Sequence, residues 1–354
     1  MRVVIATDSF PAVSSSRAGS AMGEAFAERG AAVAVVPIGA AGRGFATAAS
    51  DLLGAEAEVI GVDDTMFTLA GTPSVAVLST PTEHDLPEGI DRTSTSTTLG
   101  RAVSLVLPEV SEELVVEFGP TALHDGGAGL LAALGATADR PLDEGVAALG
   151  GVSHVDLAPV RARLGAVRLT LVVHADEVSR HLVGLRGITS VKGHAAGVVT
   201  DPADLLALDQ ALVDLAAACQ ASSTATTAGS GAAGGLGFAV LALGGRVLTG
   251  SEWCLERSGL DTTAKAADLV VTGGGQLDFG TMGGEVLARV TAVAGEALRP
   301  VVVVAGTNFI SARELRSVGV EAAYSVRPGR ESVQTITAEE ITEATRPVAA
   351  SWTW

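Results

Sequence analysis

Aromatic side chains are scarce in this sequence: they make up 3% of its 354 residues, whereas hydrophobic residues of all kinds make up 47%. A core with so few rings has to be filled mainly by alanine, valine and leucine. Such a core suits helices packed on a mostly parallel β-sheet, which is the architecture of α/β proteins. A chain of this length also predicts two domains.

Cysteine is nearly absent. Cys219 and Cys254 form no disulfide framework and match no zinc-ligand spacing, so we predict two buried apolar thiols. Long apolar runs are missing too, and none reaches the length of a membrane span. Because Met1 leads directly into a strand pattern, no secretory leader is expected. We therefore expect a soluble, cytoplasmic protein.

Positive charge is also in short supply. The chain has 23 Lys and Arg residues against 40 Asp and Glu residues, a formal net charge of −17. A strongly acidic chain disfavours binding to nucleic acids and to anionic membranes. A local cationic pocket for a small molecule remains compatible with this balance.

The order of apolar runs predicts how the chain begins. Residues 2–7 (RVVIAT) and 32–38 are strand-like, and each is followed by a segment with helical spacing, residues 14–29 and 45–53. This βαβα start predicts a parallel sheet with ligands at the carboxyl ends of its strands.

Two polar stretches have less obvious structures. Residues 93–98 (TSTSTT) are interpreted as the start of a helix, because Ser and Thr accept hydrogen bonds from unpaired N–H groups there. Residues 221–237 are rich in Ser, Thr, Gly and Ala, and this composition is typical of a flexible linker.

Glycine supplies the strongest motif, at residues 267–285 (ADLVVTGGGQLDFGTMGGE). An apolar strand over residues 269–272 is followed by Gly273 to Gly275, and a helical pattern begins at Gly283. A strand, a glycine loop and a helix start together predict an anion site built from backbone N–H groups. Similar stretches occur at residues 124–131 (HDGGAGLL) and 229–237 (GSGAAGGLG).

Each of these features also has a purely structural interpretation. Glycine turns are common in α/β proteins, Asp8 could cap the turn after the first strand, and Asp125 could serve only as a helix N-cap. His124, His181 and His194 share no ligand spacing, so we predict exposed histidines instead of a metal cluster. The sequence leaves any metal ligands unknown.

The motifs together resemble the bacterial glycerate kinase family, whose members phosphorylate D-glycerate with ATP. The matching stretches span nearly the whole chain. They are residues 5–10 (IATDSF), 36–44 (VPIGAAGRG), 119–129 (GPTALHDGGAG), 229–237 (GSGAAGGLG), 270–285 and 301–306 (VVVVAG).

The resemblance implies a particular architecture and particular partners. Residues 1–62 and 262–354 would form a Rossmann-like α/β domain, and residues 63–261 an inserted α/β domain. ATP and Mg²⁺ would be the cofactors, and a small hydroxy acid the substrate. A homodimer or an unidentified protein partner stays open. Loops at Asp8, Gly42, Asp125, Gly234 and Gly275 are expected to line one cleft between the domains.

The resemblance also implies site residues. Catalytic roles fall to Asp8, Asp125 and Asp278. Substrate or nucleotide binding falls to Ser9, Phe10, Gly42, His124, Gly126, Gly127, Glu177, Arg180, Lys192, Gly234, Gly235, Gly273, Gly275, Thr281 and Gly284.

The chain departs from the family pattern mainly by losing charged groups. Pro11, Ala196, Gln276 and Glu285 stand where the family usually has Lys or Arg. Phosphoryl transfer needs positive charge on the moving phosphoryl group, so weak turnover is expected. Two alternatives stay open, namely a degenerate member that binds ligands or regulates, and a kinase for another small hydroxy acid.

Overall fold

The computed structural model describes residues 1–42, 44–80, 89–119, 121–193, 201–278, 283–329 and 335–353. Strands and helices alternate along most of the chain. The strands are β1 Arg2–Thr7, β2 Ala32–Pro37, β3 Ala57–Val62, β4 Thr65–Gly71, β5 Val75–Ser79, β6 Glu113–Glu117, β7 Thr137–Ala138, β8 Val155–Asp156, β9 Arg168–Val173, β10 Arg246–Thr249, β11 Leu269–Leu277, β12 Val301–Asn308 and β13 Ala322–Ser325. The helices are α1 Ser15–Ala27, α2 Phe45–Leu53, α3 Thr97–Val106, α4 Ala128–Ala133, α5 Ala158–Leu164, α6 Ile188–Gly193, α7 Pro202–Ala218, α8 Leu236–Ala242, α9 Gly250–Ser258, α10 Leu260–Ala266, α11 Gly284–Glu296, α12 Ala312–Ser317 and α13 Ala338–Trp352.

The chain divides into two compact units. Unit 1 consists of Met1–Ala55 and Gly250–Trp354, and unit 2 of Glu56–Thr249. The sequence prediction assigned residues 56–62 to the first domain and residues 250–261 to the inserted domain, so both segments lie on the other side of these boundaries. β3 instead pairs antiparallel with β4 and completes the sheet of unit 2. α9 belongs to unit 1, where its Trp253 ring packs edge-on against Phe45 of α2, with 5.4 Å between the ring centroids.

Unit 1 contains a parallel sheet with the strand order β13-β12-β11-β1-β2. Its central strands are buried apolar runs, as expected for a sheet covered on both faces. The core includes Ile5, Phe26 and Val304, all fully buried. The predicted α/β class is thus confirmed, and strands from both ends of the chain, β1 and β2 with β11, β12 and β13, share this sheet.

Unit 2 contains a mixed sheet with the order β10-β9-β6-β5-β4-β3. β5, β6, β9 and β10 run parallel, and the β3–β4 hairpin adds an antiparallel edge. Aliphatic residues fill the core against this sheet, among them Leu114, Leu131 and Leu212. Cys219 in this unit and Cys254 in unit 1 are both buried thiols outside any disulfide, as predicted.

Two sequence predictions about polar stretches have opposite outcomes. The TSTSTT run starts α3, whose N-cap is Ser96, so that prediction is confirmed. The linker interpretation of residues 221–237 is wrong, because residues 229–237 are buried and pass from a 3₁₀ turn into α8. Among the described residues, no helix is long and apolar enough to cross a membrane.

Candidate functional site

The strand order of unit 1 reverses between β1 and β11. β1 leads to β2 on one side, and β11 leads to β12 and β13 on the other. In open parallel sheets, ligands bind at such a switch point, outside the carboxyl ends of the strands. Asp8 and Ser9 follow β1 directly, and Asp278 follows β11 directly, so three predicted site residues lie at this edge.

Asp8 is held in place by its neighbours. Its backbone N–H donates to the carbonyl of Gly273 at 3.1 Å, and its Oδ1 accepts a hydrogen bond from the backbone N–H of Ser9 at 2.7 Å. Phe10 is 3% exposed and packs in the core of unit 1. Its backbone exchanges two hydrogen bonds of 2.9 Å with Val13, which closes the turn. The structure therefore gives Phe10 a packing role that fixes the Asp8–Ser9 turn, whereas Asp8 and Ser9 stay half-buried.

The loop after β2 approaches the same turn. Gly42 has a φ of 75° and Gly44 a φ of 92°, conformations that favour glycine. A Cβ atom on Gly44 would lie 2.8 Å from the Ser9 Oγ, so glycine allows the loop to lie against Ser9. Arg43, the cation of this loop, lies outside the described residues.

The glycines at residues 273–275 lie in a strand, and not in the predicted loop. β11 continues through them to Leu277 because β12 pairs with it along this length, from Val301 to Asn308. A Cβ atom on Gly273 would lie 2.2 Å from the Val304 carbonyl oxygen. Gly273 therefore serves close packing, and residues 273–275 continue a strand instead of forming the predicted turn.

The turn after β11 carries the remaining predicted residues of unit 1. The Gln276 side chain donates to the Asp278 Oδ2 at 2.8 Å. Gly283 caps the start of α11, and Gly284 follows with a φ of 79°. Thr281 lies outside the described residues.

Glu285 has a local structural partner. Its Oε1 accepts a hydrogen bond from the backbone N–H of Ser251 at 3.0 Å, in the first turn of α9. Burial raises the pKa of Glu285, and the hydrogen bonds from Ser251 oppose that shift. The carboxylate thus stabilises the N-terminus of α9, where negative charge is favourable.

The carboxyl ends of β6 and β9 in unit 2 are bordered by buried polar groups. Asp125 is fully buried, and its carboxylate accepts hydrogen bonds from the Ser96 N–H (2.8 Å), the Ser96 hydroxyl (2.7 Å), the Gly127 N–H (2.9 Å) and the Gly129 N–H (3.1 Å). The Ser96 Oγ accepts in turn from the Leu130 N–H at 2.8 Å. Asp125 therefore ties the start of α3 to the start of α4. Burial raises its pKa, although these hydrogen bonds favour the ionised form.

Glycine brings two loops of unit 2 into backbone contact. The Gly126 N–H donates to the Gly234 carbonyl at 3.2 Å. A Cβ atom would lie 2.2 Å from the Leu123 carbonyl oxygen if placed on Gly234, and 2.5 Å from the Gly126 Cα if placed on Gly235. Gly127 is equally crowded, with Ala239 at 2.5 Å from its hypothetical Cβ. These glycines allow close packing of buried backbone.

The carboxylate of Glu177 binds a backbone N–H of the third glycine stretch, residues 229–237. It is 6% exposed, and its Oε2 accepts a hydrogen bond from the Ala233 N–H at 2.9 Å. Its Oε1 pairs with Arg180 at 2.6 Å, and Arg180 also pairs with Asp176 at 2.8 Å. The chain's own carboxylate therefore satisfies a backbone donor that the sequence had assigned to a ligand.

Lys192 donates from its Nζ to the carbonyls of Thr121 (2.9 Å) and Leu123 (2.6 Å). Burial lowers its pKa to about 8, with Glu177 opposing and Arg180 adding to that shift. The ammonium thus holds the segment that leads into His124 and Asp125.

His124 is buried, which corrects the prediction of an exposed histidine. Its Nε2 lies 2.9 Å from the Thr189 hydroxyl, and its Nδ1 has no hydrogen-bond partner in the described part of the chain. Burial and the nearby Lys192 charge lower its pKa to about 3, so the ring is neutral at physiological pH. His181 is half-buried, and His194 lies outside the described residues.

Several partners of these groups were absent from the sequence prediction. Ser96 was recognised only as a helix cap, and its bond to Asp125 links residues 29 positions apart. Thr189 carried no motif signal, whereas Ala233 lies within the third glycine stretch, residues 229–237. The described residues contain no group of three or more His, Cys, Asp or Glu side chains that could hold a metal ion.

The two α/β units, with predicted site residues at the carboxyl ends of their parallel strands, define a class of small-molecule-binding α/β proteins. The sequence profile of the glycerate kinase family matches residues 3–353. The chain therefore belongs to the glycerate kinase family.

Individual relatives agree with this assignment. The glycerate kinase of Bacillus subtilis is 30% identical over 263 residues, covering 71% of this chain and 68% of that protein. The glycerate kinase of Halalkalibacterium halodurans is 28% identical over 349 residues, covering 92% and 90%. The crystal structure of a putative glycerate kinase 2 from Salmonella typhimurium matches with a TM-score of 0.82 at 25% identity, covering 99% of this chain and 98% of that one.

Proposed function

We propose that this protein phosphorylates D-glycerate with ATP, at a rate reduced by the loss of catalytic cations. Membership of the glycerate kinase family over residues 3–353 is the observation that carries the proposal. A cytoplasmic location and a homodimer stay predictions, as does the expectation that the loops of the two units line one cleft.

The carboxylates at the switch point of unit 1 support a phosphoryl-transfer role. Asp8 and Asp278 are half-buried and follow adjacent parallel strands. Carboxylate oxygens are the ligands that Mg²⁺ takes in kinases, usually one or two together with substrate phosphates. One of these carboxylates, together with substrate phosphates, would hold Mg²⁺, which when bound would neutralise phosphate charge. Asp8, fixed by Ser9 and Gly273, is the group we propose to orient the substrate hydroxyl.

The scarcity of cations at this edge supports the reduced rate. Residues 8–14, which follow β1, contain neither Lys nor Arg, and Arg43 is the one cation in the sequence of the loop after β2, residues 38–44. A cation on the transferring phosphoryl group typically contributes about three or more decades in rate. Glu285 opposes phosphate binding less than its sequence position suggests, because its carboxylate already accepts from Ser251.

A ligand-binding role without turnover is the second candidate, and one observation favours it. In unit 2, the Glu177 carboxylate accepts a hydrogen bond from the Ala233 N–H, and the Asp125 carboxylate accepts hydrogen bonds from N–H groups at the start of α4. Backbone donors that could hold a phosphate are thus used by the chain's own carboxylates.

Steady-state kinetics with ATP, Mg²⁺ and D-glycerate test the proposal. We expect turnover below the usual range for kinases of about 1–100 per second, and a further loss in Asp8→Asn. The exposed Asp64→Asn variant serves as the control. The double variant Gln276→Arg, Glu285→Lys should raise the rate. Turnover in the usual range would contradict the weakened site, whereas thermal stabilisation by ATP or glycerate without turnover would favour the second candidate.

A further inference from the structure

A cavity of about 390 Å³ opens at the amino-terminal edge of the unit 2 sheet. It lies where β9 begins at Arg168 and where residues 243–245 lead into β10. Asp125 and Glu177 follow the opposite, carboxyl-terminal ends of β6 and β9. The cavity is therefore separate from the candidate site of this unit.

Two arginines give this cavity a positive character. Arg161 and Arg168 line it, and no acidic residue does. Within the described residues, neither guanidinium has a carboxylate partner; Arg161 donates only to the Ala242 carbonyl at 3.3 Å. Glu113, which pairs with Arg168 in the strand register, is bound by Arg246 at 2.8 Å. Uncompensated positive charge is notable in a chain with a formal charge of −17.

In a second surface groove, by contrast, positive charge is balanced by carboxylates. It lies between α1 and α13 and is lined by Arg17 and Arg346 together with Glu24, Glu339 and Glu343. Arg346 is bound there to Glu28 and Glu343. Its cations are matched by anions of the chain, so it offers an anionic ligand little attraction.

The size and lining of the first cavity define the ligand class. A volume of about 390 Å³ is at the lower end for small-molecule pockets. Each guanidinium presents a planar fork that fits a carboxylate or a phosphate. Leu164 and Leu169, both buried, line the cavity together with the two exposed arginines. We propose that this cavity is a binding site for a small organic dianion, a dicarboxylate or a phosphate ester, held by Arg161 and Arg168.

Isothermal titration of the full chain tests this site, with succinate and glycerol 3-phosphate as probes at constant ionic strength. The two probes distinguish a carboxylate from a phosphate ligand. We expect at least one to bind, with affinity falling about tenfold or more in Arg161→Gln, Arg168→Gln, because two charge-assisted contacts are lost. Ala166→Phe, which fills the cavity from an exposed position without changing charge, should weaken binding similarly.

The control variant is Arg29→Gln, Arg313→Gln. It removes the same charge from two exposed arginines of unit 1 and should bind the probe as the wild type does. Absence of binding by both probes at millimolar concentration would overturn the site. Unchanged binding in the Arg161, Arg168 double variant would also overturn it, since the probe would then bind elsewhere, the proposed kinase site included.

Discussion

The two units use the carboxyl ends of their parallel strands differently. In unit 1 the predicted residues Asp8, Ser9 and Asp278 stay half-buried at a switch point, and the Asp8 N–H bonds the Gly273 carbonyl on the neighbouring strand. In unit 2, Asp125 and His124 are fully buried, and Asp125 is bonded to residues on other elements. The same kind of motif, an acid beside glycines, thus serves an accessible edge in one unit and internal packing in the other.

The largest expected effect concerns the buried carboxylate. Asp125→Ala should lower the free energy of unfolding by about 4 kcal/mol, because it leaves buried N–H groups at two helix starts without an acceptor. Asp8→Ala in unit 1, at a half-buried position, should cost about 1 kcal/mol. Urea unfolding of both variants measures the difference, and similar losses would remove the contrast between the units.

The glycines of unit 2 provide the next test. Gly234→Ala should cost about 3 kcal/mol, from left-handed backbone strain and from the new Cβ atom against the Leu123 carbonyl. Gly54 of unit 1 is also left-handed, with a φ of 61°, but nothing lies within 4 Å of its hypothetical Cβ. Gly54→Ala should therefore cost only about 1 kcal/mol. Equal losses in urea unfolding would show that backbone conformation alone, and not packing, requires Gly234.

Lys192 gives an effect that is confined to a defined pH window. Its pKa is lowered from 10.5 to about 8, so between these values the folded state binds fewer protons than the unfolded state. Stability from this group therefore rises with pH from about 8 to 10.5, by at most about 1.4 kcal/mol per pH unit. Among the residues that the structure describes, the titratable or charged groups around it are His124, Asp125, Glu177 and Arg180.

The matched comparison uses the two lysines of the chain, Lys192 and Lys265. The free energy of unfolding is measured across this pH window. The rise with pH that comes from Lys192 should disappear in Lys192→Met and persist in Lys265→Met. A pH profile in Lys192→Met that equals the wild-type profile would mean that Lys192 keeps an ordinary pKa.

Local chemistry explains which features the sequence could predict. Ser96 was found as a helix start because Ser and Thr are typical of helix N-termini, although its hydroxyl bonds Asp125 and makes no capping bond to α3. β1 and α2 were found because their apolar spacing is a local signal. The family motifs located the acids at strand ends, but they could not distinguish the half-buried Asp8 from the buried Asp125.

The errors come from contacts distant in sequence. β11 extends through its glycines because β12 provides hydrogen-bond partners as far as Asn308. Residues 229–237 are buried because Leu123 and Gly126 pack against them, although their composition is that of a linker. His124 is buried because Thr189 and Lys192, more than sixty positions later, lie beside it.

The position of β11 beside β1 has a consequence for synthesis on the ribosome. The Arg2 N–H bonds to Asp268, 266 residues later, so β1 lacks this neighbour until nearly the whole chain has emerged. Unit 2 is continuous and can complete its sheet first, since domains fold as units during synthesis. Until β11 arrives, one edge of β1 presents unpaired N–H and C=O groups, which are prone to aggregation. The insertion of β11 between β1 and β12 closes loops of high sequence separation, and we expect it to be the slow step of folding.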